Sequence, residues 1–308
     1  MLKFFDVLIA LALSITVVPT SVLAMEITVV KRTNFTFQAD SIGAIDRTKE
    51  SYSSSPVDPH LENLIKTTIR NTVKLLPTKY LPKRLTVNVE SRGVFTAPGK
   101  RGEALPLSLV LTTQLPAKDQ IRFSNYEIKN DSYSVQTVLA HETGHMLIEW
   151  ACRKEGVTPP NQTFLSHWSK PIYEGVADYI SATVNNTTII GSSTAWFHRD
   201  ILQYNSLAAA KNPALSIADV AEQGLTSVGL IPRFGSYRDW IDGVRKILTQ
   251  LDMKDPYAEG TWLAGQLWKL NDTYGAQTVF NAVLAIAITG EKFDDEQIFL
   301  DMVELRLK

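Results

Sequence analysis

Apolar positions recur along this chain with two different periods, and the change from one to the other divides it. Residues 84–90, RLTVNVE, alternate apolar and polar with period two, which predicts a half-buried strand. MEITVV (25–30), FTF (35–37), LSLVLTT (107–113) and IRFS (121–124) are short runs rich in β-branched and aromatic residues and are expected as further strands. Among them, HLENLIKTTIRNTVKLLP (60–77) sets Leu61, Leu64, Ile65, Ile69, Val73 and Leu76 on one helical face, and Pro77 stops it. SYSSSPVDP (51–59) reads as a turn-rich connector, and VFTAPGKRGEALP (94–106), with its glycines, prolines and charges, as a loop.

Beyond about residue 130 the period becomes almost wholly helical. DWIDGVRKILTQL (239–251), TWLAGQLWKLNDTY (261–274), TVFNAVLAIAIT (278–289) and DEQIFLDMVELRL (295–307) all repeat at three to four residues. The pattern predicts an α+β protein: an N-terminal α/β lobe with a small sheet (25–130), then a mainly α-helical lobe (131–308). A cleft between lobes is a usual place for a site.

The first 24 residues stand apart. Lys3 precedes an apolar run from Val7 to Val18, and Val22-Leu23-Ala24 has the small-residue pattern of a signal peptidase cut. The run is shorter than the ~20 residues a bilayer span needs, so a signal peptide cleaved after Ala24 is expected, with an uncleaved membrane anchor as its rival. The mature protein would be secreted or periplasmic, without stable membrane association. Its charge is the −1 of the whole chain, because Lys3 and Asp6 cancel. No basic face is implied, and nucleic acid is not an expected partner. Cys152 is the one cysteine, so no intramolecular disulfide forms.

Candidate chemistry concentrates in TVLAHETGHMLIEWACRK (137–154). Ser132 or Ser134 can cap this helix, and nothing breaks it before Gly156. His141 and His145 fall about 40° apart around the axis, so their imidazoles can share an ion. Leu139, Thr143, Met146 and Trp150 are expected on the core-facing side. Glu142 sits about 100° from His141, where it flanks an ion rather than binding it. Gly144 costs roughly 1 kcal/mol against alanine in a helix interior, which suggests close packing against the backbone there.

Two histidines need a third ligand. Glu149 shares the helix but points away from a shared ion, and His167 and His198 stand in no recognisable context. A histidine six residues after His145 would fall at Ala151, which excludes the metzincin pattern. The strongest case is PIYEGVADYISATV (171–184), with Glu174 and, one turn later, Asp178. Glu174 can complete a three-ligand zinc site with one position left open. Asp178 can accept a hydrogen bond from a ligand histidine and fix its tautomer. Cys152 shares the ligand stripe but reads as a small buried hydrophobe.

These residues resemble the gluzincin metallopeptidases, in which His-Glu-x-x-His on one helix is followed by a glutamate on a second, with an aspartate one turn after it. The resemblance covers residues 134–184 and implies a zincin-like fold with zinc, one per chain, in the cleft between lobes. It implies that His141, His145 and Glu174 bind the metal, that Glu142 is the general base, and that Asp178 orients a histidine. More weakly, YAEGTWLAGQLWKLNDTYGAQTVF (257–280) is similar to a tyrosine-x-x-glycine helix of aminopeptidase-like gluzincins, which maps oxyanion support to Tyr257. His198 is the reserve for that role. The chain lacks the Gly-x-Met-Glu-Asn segment that anchors a substrate amine in those relatives, which tilts the expectation towards an endopeptidase acting on peptide or protein substrates. An extended peptide could then add to the edge of a strand such as 107–113. The alternative is a zinc-containing binding or scaffold protein; retention of Glu142 favours the enzyme, since a structural site needs no base.

Overall fold

The computed structural model describes residues 25–39, 45–90, 93–96, 113–115, 119–124, 132–160, 167–191, 198–211 and 256–308. The expected signal peptide, the helix over 239–251 and residues 107–112 lie outside the described residues. The chain opens with strands β1 (Glu26–Ala39) and β2 (Ile45–Ser55), then helix α1 (Pro59–Val73). Strands β3 (Arg84–Glu90), β4 (Gly93–Thr96), β5 (Thr113–Leu115) and β6 (Gln120–Ser124) complete one sheet in the order β2-β1-β3-β6-β5, with β4 also paired to β1. The β1–β3 and β3–β6 pairs are parallel, whereas β5 closes the row antiparallel to β6.

The centre of this sheet is apolar. Leu85, Val87, Val89 and Ile121 are buried together, and Ile65, Ile69 and Val73 of α1 belong to the same core. The carboxylate of Asp58 starts α1 by accepting from the backbone of His60 and Leu61 at 3.0 and 3.1 Å. Asn88 is also buried, so at that residue the strand expected to be half-buried is covered on both faces.

Three sequence expectations need correction. Residues 51–55 are strand, not connector, because β2 pairs antiparallel with β1 (Lys31 opposite Ser55, Thr33 opposite Ser53). Backbone hydrogen bonds at the end of a sheet hold such a strand without an apolar face. Residues 94–96, expected in a loop, lie in β4, where Phe95 pairs with Phe37. The later half also contains a two-stranded ribbon, β7 (Ile189–Gly191) with β8 (His198–Asp200), too short to show a period.

That half otherwise consists of α2 (Ser132–Lys154), α3 (Lys170–Asn185), α4 (Leu207–Lys211), α5 (Pro256–Tyr274), α6 (Ala276–Ala287) and α7 (Glu296–Leu307). α2 was expected to turn one side to the core, but every residue from 137 to 152 is buried. It is the central helix, with α1, α3, α6, β5 and β7 packed around it. Two polar groups of this helix are satisfied inside the packing: Thr143 donates to the Leu139 carbonyl at 2.7 Å, and the Thr137 carbonyl accepts from Ser181 of α3 at 2.6 Å. It ends at Gly156, whose φ of 74° a side chain would disfavour.

Glycine sets the helix spacing. A Cβ on Gly144 would lie 3.2 Å from the Ile180 side chain and 3.3 Å from the Ala177 Cα, the close packing its position in the sequence suggested. α3 and α5 cross more tightly still, for a Cβ on Gly175 would stand 2.5 Å from the Gly260 carbonyl oxygen. The chain is thus a mixed α and β protein with a small sheet and mostly helical content, within the α+β class.

Candidate metal centre

One turn of α2 brings His141 and His145 together, with Nε2 atoms 3.1 Å apart and ring planes at 86°. The crossing at Gly144 holds α3 against this turn. Glu174 then reaches in with Oε2 at 3.4 Å from His141 Nε2 and 3.7 Å from His145 Nε2. One donor atom from each of the three lies within 4.8 Å of the others, and among the described residues this is the one such cluster able to hold a metal ion.

The hydrogen bonds behind the donors fit that use. His141 Nδ1 lies 2.7 Å from Asp178 Oδ1, so in the neutral ring the carboxylate holds the proton on Nδ1 and leaves the Nε2 lone pair facing the cluster. His145 turns Nε2 to the same point, while its buried Nδ1 has no hydrogen-bond partner among the described residues. Two imidazole nitrogens and a carboxylate oxygen form a donor set suited to a transition-metal dication. Asp178 also accepts from the Arg199 guanidinium at 2.7 Å, within a pair whose side chains are 1% and 10% exposed. That salt bridge ties β8 to α3.

Charge and burial act oppositely on the two histidines. Burial disfavours the cation at both. At His141 the Asp178 carboxylate, helped by Glu174, outweighs it and pushes the pKa up to about 9. At His145 burial prevails and the pKa is lowered. Burial also works against the charged forms of Glu174 and Asp178, yet the histidines hold Glu174 well below its usual range, and Arg199 with His141 holds Asp178 down.

The remaining expected residues fall in distinct places. Glu142 is 8% exposed and is not one of the clustered donors. Tyr257, at the start of α5, lies with its ring 4.6 Å from Arg199 Cζ and 5.3 Å from Lys170 Nζ. Burial, reinforced by the charges of Glu174 and Glu142, pushes its hydroxyl up to about 12. Glu149 accepts from the Tyr173 hydroxyl and does not join the donors. Cys152 faces the Ala287 carbonyl at 3.4 Å, and burial pushes its thiol up to about 12. His167 is buried, with its pKa lowered by that burial, and hydrogen-bonds to the Ala287 backbone rather than to the cluster. The side chain of His198 lies outside the described residues.

Two residues at the site carried no signal in the sequence. Arg199 sits in a three-residue strand with no readable period. Tyr173 reads as one more apolar helix position beside Glu174, yet its ring stacks on the His145 imidazole. No family model, curated protein or solved structure matches the chain.

Proposed function

We propose that the chain is an exported, gluzincin-like zinc peptidase acting on internal bonds of peptide substrates, with its site in a zincin-like cleft. The observation that carries this reading is the division of labour on α2. His141 and His145 converge with Glu174, while Glu142, one residue from His141, stays outside the donor set. Zinc held there would acidify a water molecule and polarise the scissile carbonyl. Glu142 would take the proton from that water and hand it to the leaving amine. Asp178 would keep His141 in the tautomer that binds metal. With its pKa at about 12, the Tyr257 hydroxyl keeps its proton at neutral pH and can donate it to a developing oxyanion. β5 ends the described sheet and packs on α2, which favours an extended substrate lying beside that strand. Export rests on the apolar segment from Val7 to Val18 followed by Ala24.

The test is digestion of a diverse peptide mixture by the zinc-loaded protein, read by mass spectrometry, with Glu142→Gln alongside. Loss of the general base should slow cleavage by about 10²–10⁴-fold while zinc stays bound. Zinc bound at one per chain with no cuts in either protein would replace the enzyme with a zinc-containing binding protein.

A further inference from the structure

His145 lacks the support that His141 enjoys. A metal-binding imidazole is usually oriented by a hydrogen bond from its distant ring nitrogen, as Asp178 provides for His141. Among the described residues, the buried Nδ1 of His145 has no such partner. Something else must fix the plane of that ring, which is 3% exposed and would otherwise be free to turn about its χ2.

Tyr173 occupies the place where such support is needed. Its ring lies on the His145 imidazole with centroids 4.0 Å apart and planes at 22°. Its hydroxyl donates to Glu149, which stands one turn beyond His145 on α2 and is 1% exposed. A stack alone permits sliding; a stack whose far end is bonded to the helix carrying the stacked ring does not. Tyr173 also directly precedes Glu174, so the same bond sets the third donor relative to α2. A carboxyl group as deeply buried as that of Glu149 is costly to desolvate, and this bond gives it a reason to be there.

We infer that Tyr173, anchored by Glu149, is a positioning residue for His145, with aromatic stacking replacing the missing hydrogen bond at Nδ1. The inference rests on the metal site proposed above. Titration of the metal-free protein with cobalt(II), following its visible d–d bands and measuring affinity by chelator competition, tests both separately. The parent should bind one cobalt ion per chain. Tyr173→Leu removes the stack and should weaken binding by about 10–100-fold and move the bands. Tyr173→Phe keeps the stack but loses the anchor, and should weaken binding by only a few fold with the bands in place. Glu149→Leu should match Tyr173→Phe, with no further loss in the double variant, and Glu149→Gln, which still accepts from the hydroxyl, should behave as the parent.

A folded Tyr173→Leu with the parent's affinity and bands overturns the positioning role while leaving the metal site standing. Should Tyr173→Leu not fold, unchanged affinity in both Tyr173→Phe and Glu149→Leu overturns it equally. A parent that binds no cobalt overturns the metal site, and the positioning role with it.

Discussion

His141 and His145 stand one turn apart on the same helix, but the protein surrounds them differently. Behind His141 runs a chain of charge: Asp178 on α3, Arg199 on β8, then the ring of Tyr257 on α5. Behind His145 lies an aromatic face, Tyr173, fastened to α2 itself through Glu149. The first arrangement depends on three elements brought from distant parts of the sequence, the second on two helices alone. The charged side raises the pKa of its histidine and the aromatic side leaves burial to lower it. Two candidate ligands with similar geometry can therefore be held by unlike means, provided each ring is held in place.

The largest expected effect ignores the difference. His141→Ala and His145→Ala should each abolish stoichiometric zinc uptake, measured by atomic absorption, since each removes one of three donors; uptake retained by either would break the comparison at its root. Asp178→Ala comes next, and separates the sides. It removes the buried carboxylate that Arg199 and His141 share, so the metal-free protein should lose about 3–5 kcal/mol in urea unfolding, and zinc affinity should fall about 10–100-fold. Asp178→Asn, which retains a hydrogen-bonding group for His141, should lose less of the affinity. A stable Asp178→Ala would mean that the charged chain does not hold β8 in place.

Smaller effects probe the helix crossings that both sides share. Gly175→Ala drives a methyl into the Gly260 carbonyl and should cost about 1–3 kcal/mol of stability, with weaker zinc binding because Glu174 is the preceding residue. Gly144→Ala should be nearly neutral by thermal unfolding. Its gain of about 1 kcal/mol in helix propensity is offset by crowding against Ile180 and Ala177.

What the sequence reveals depends on how locally each feature is encoded. β3 is read to its bounds from RLTVNVE alone; the helices over 278–289 and 295–307 differ from α6 and α7 by one or two residues at an end, and that over 261–274 misses the first five residues of α5. Their periods lie in contiguous chain. The donors His141, His145 and Glu174 were legible because helical spacing and ligand chemistry coincide on two short segments. β2 was hidden because SYSSS carries no apolar alternation; its order comes from pairing with β1. Arg199 was hidden because its meaning is tertiary: nothing near it in the chain shows that Asp178 and Tyr257 will meet it. Tyr173 was visible as a helical residue, but not as the partner of His145.

The uneven exposure of the three donors bears on how fast the site can fill and empty. The side chains of His141 and His145 are 3% and 4% exposed, whereas that of Glu174 is 14% exposed. An ion arriving there would meet the carboxylate first and reach the imidazoles only as it shed water and moved towards α2. Departure would reverse that path. Local opening of α3 against α2 would speed both steps.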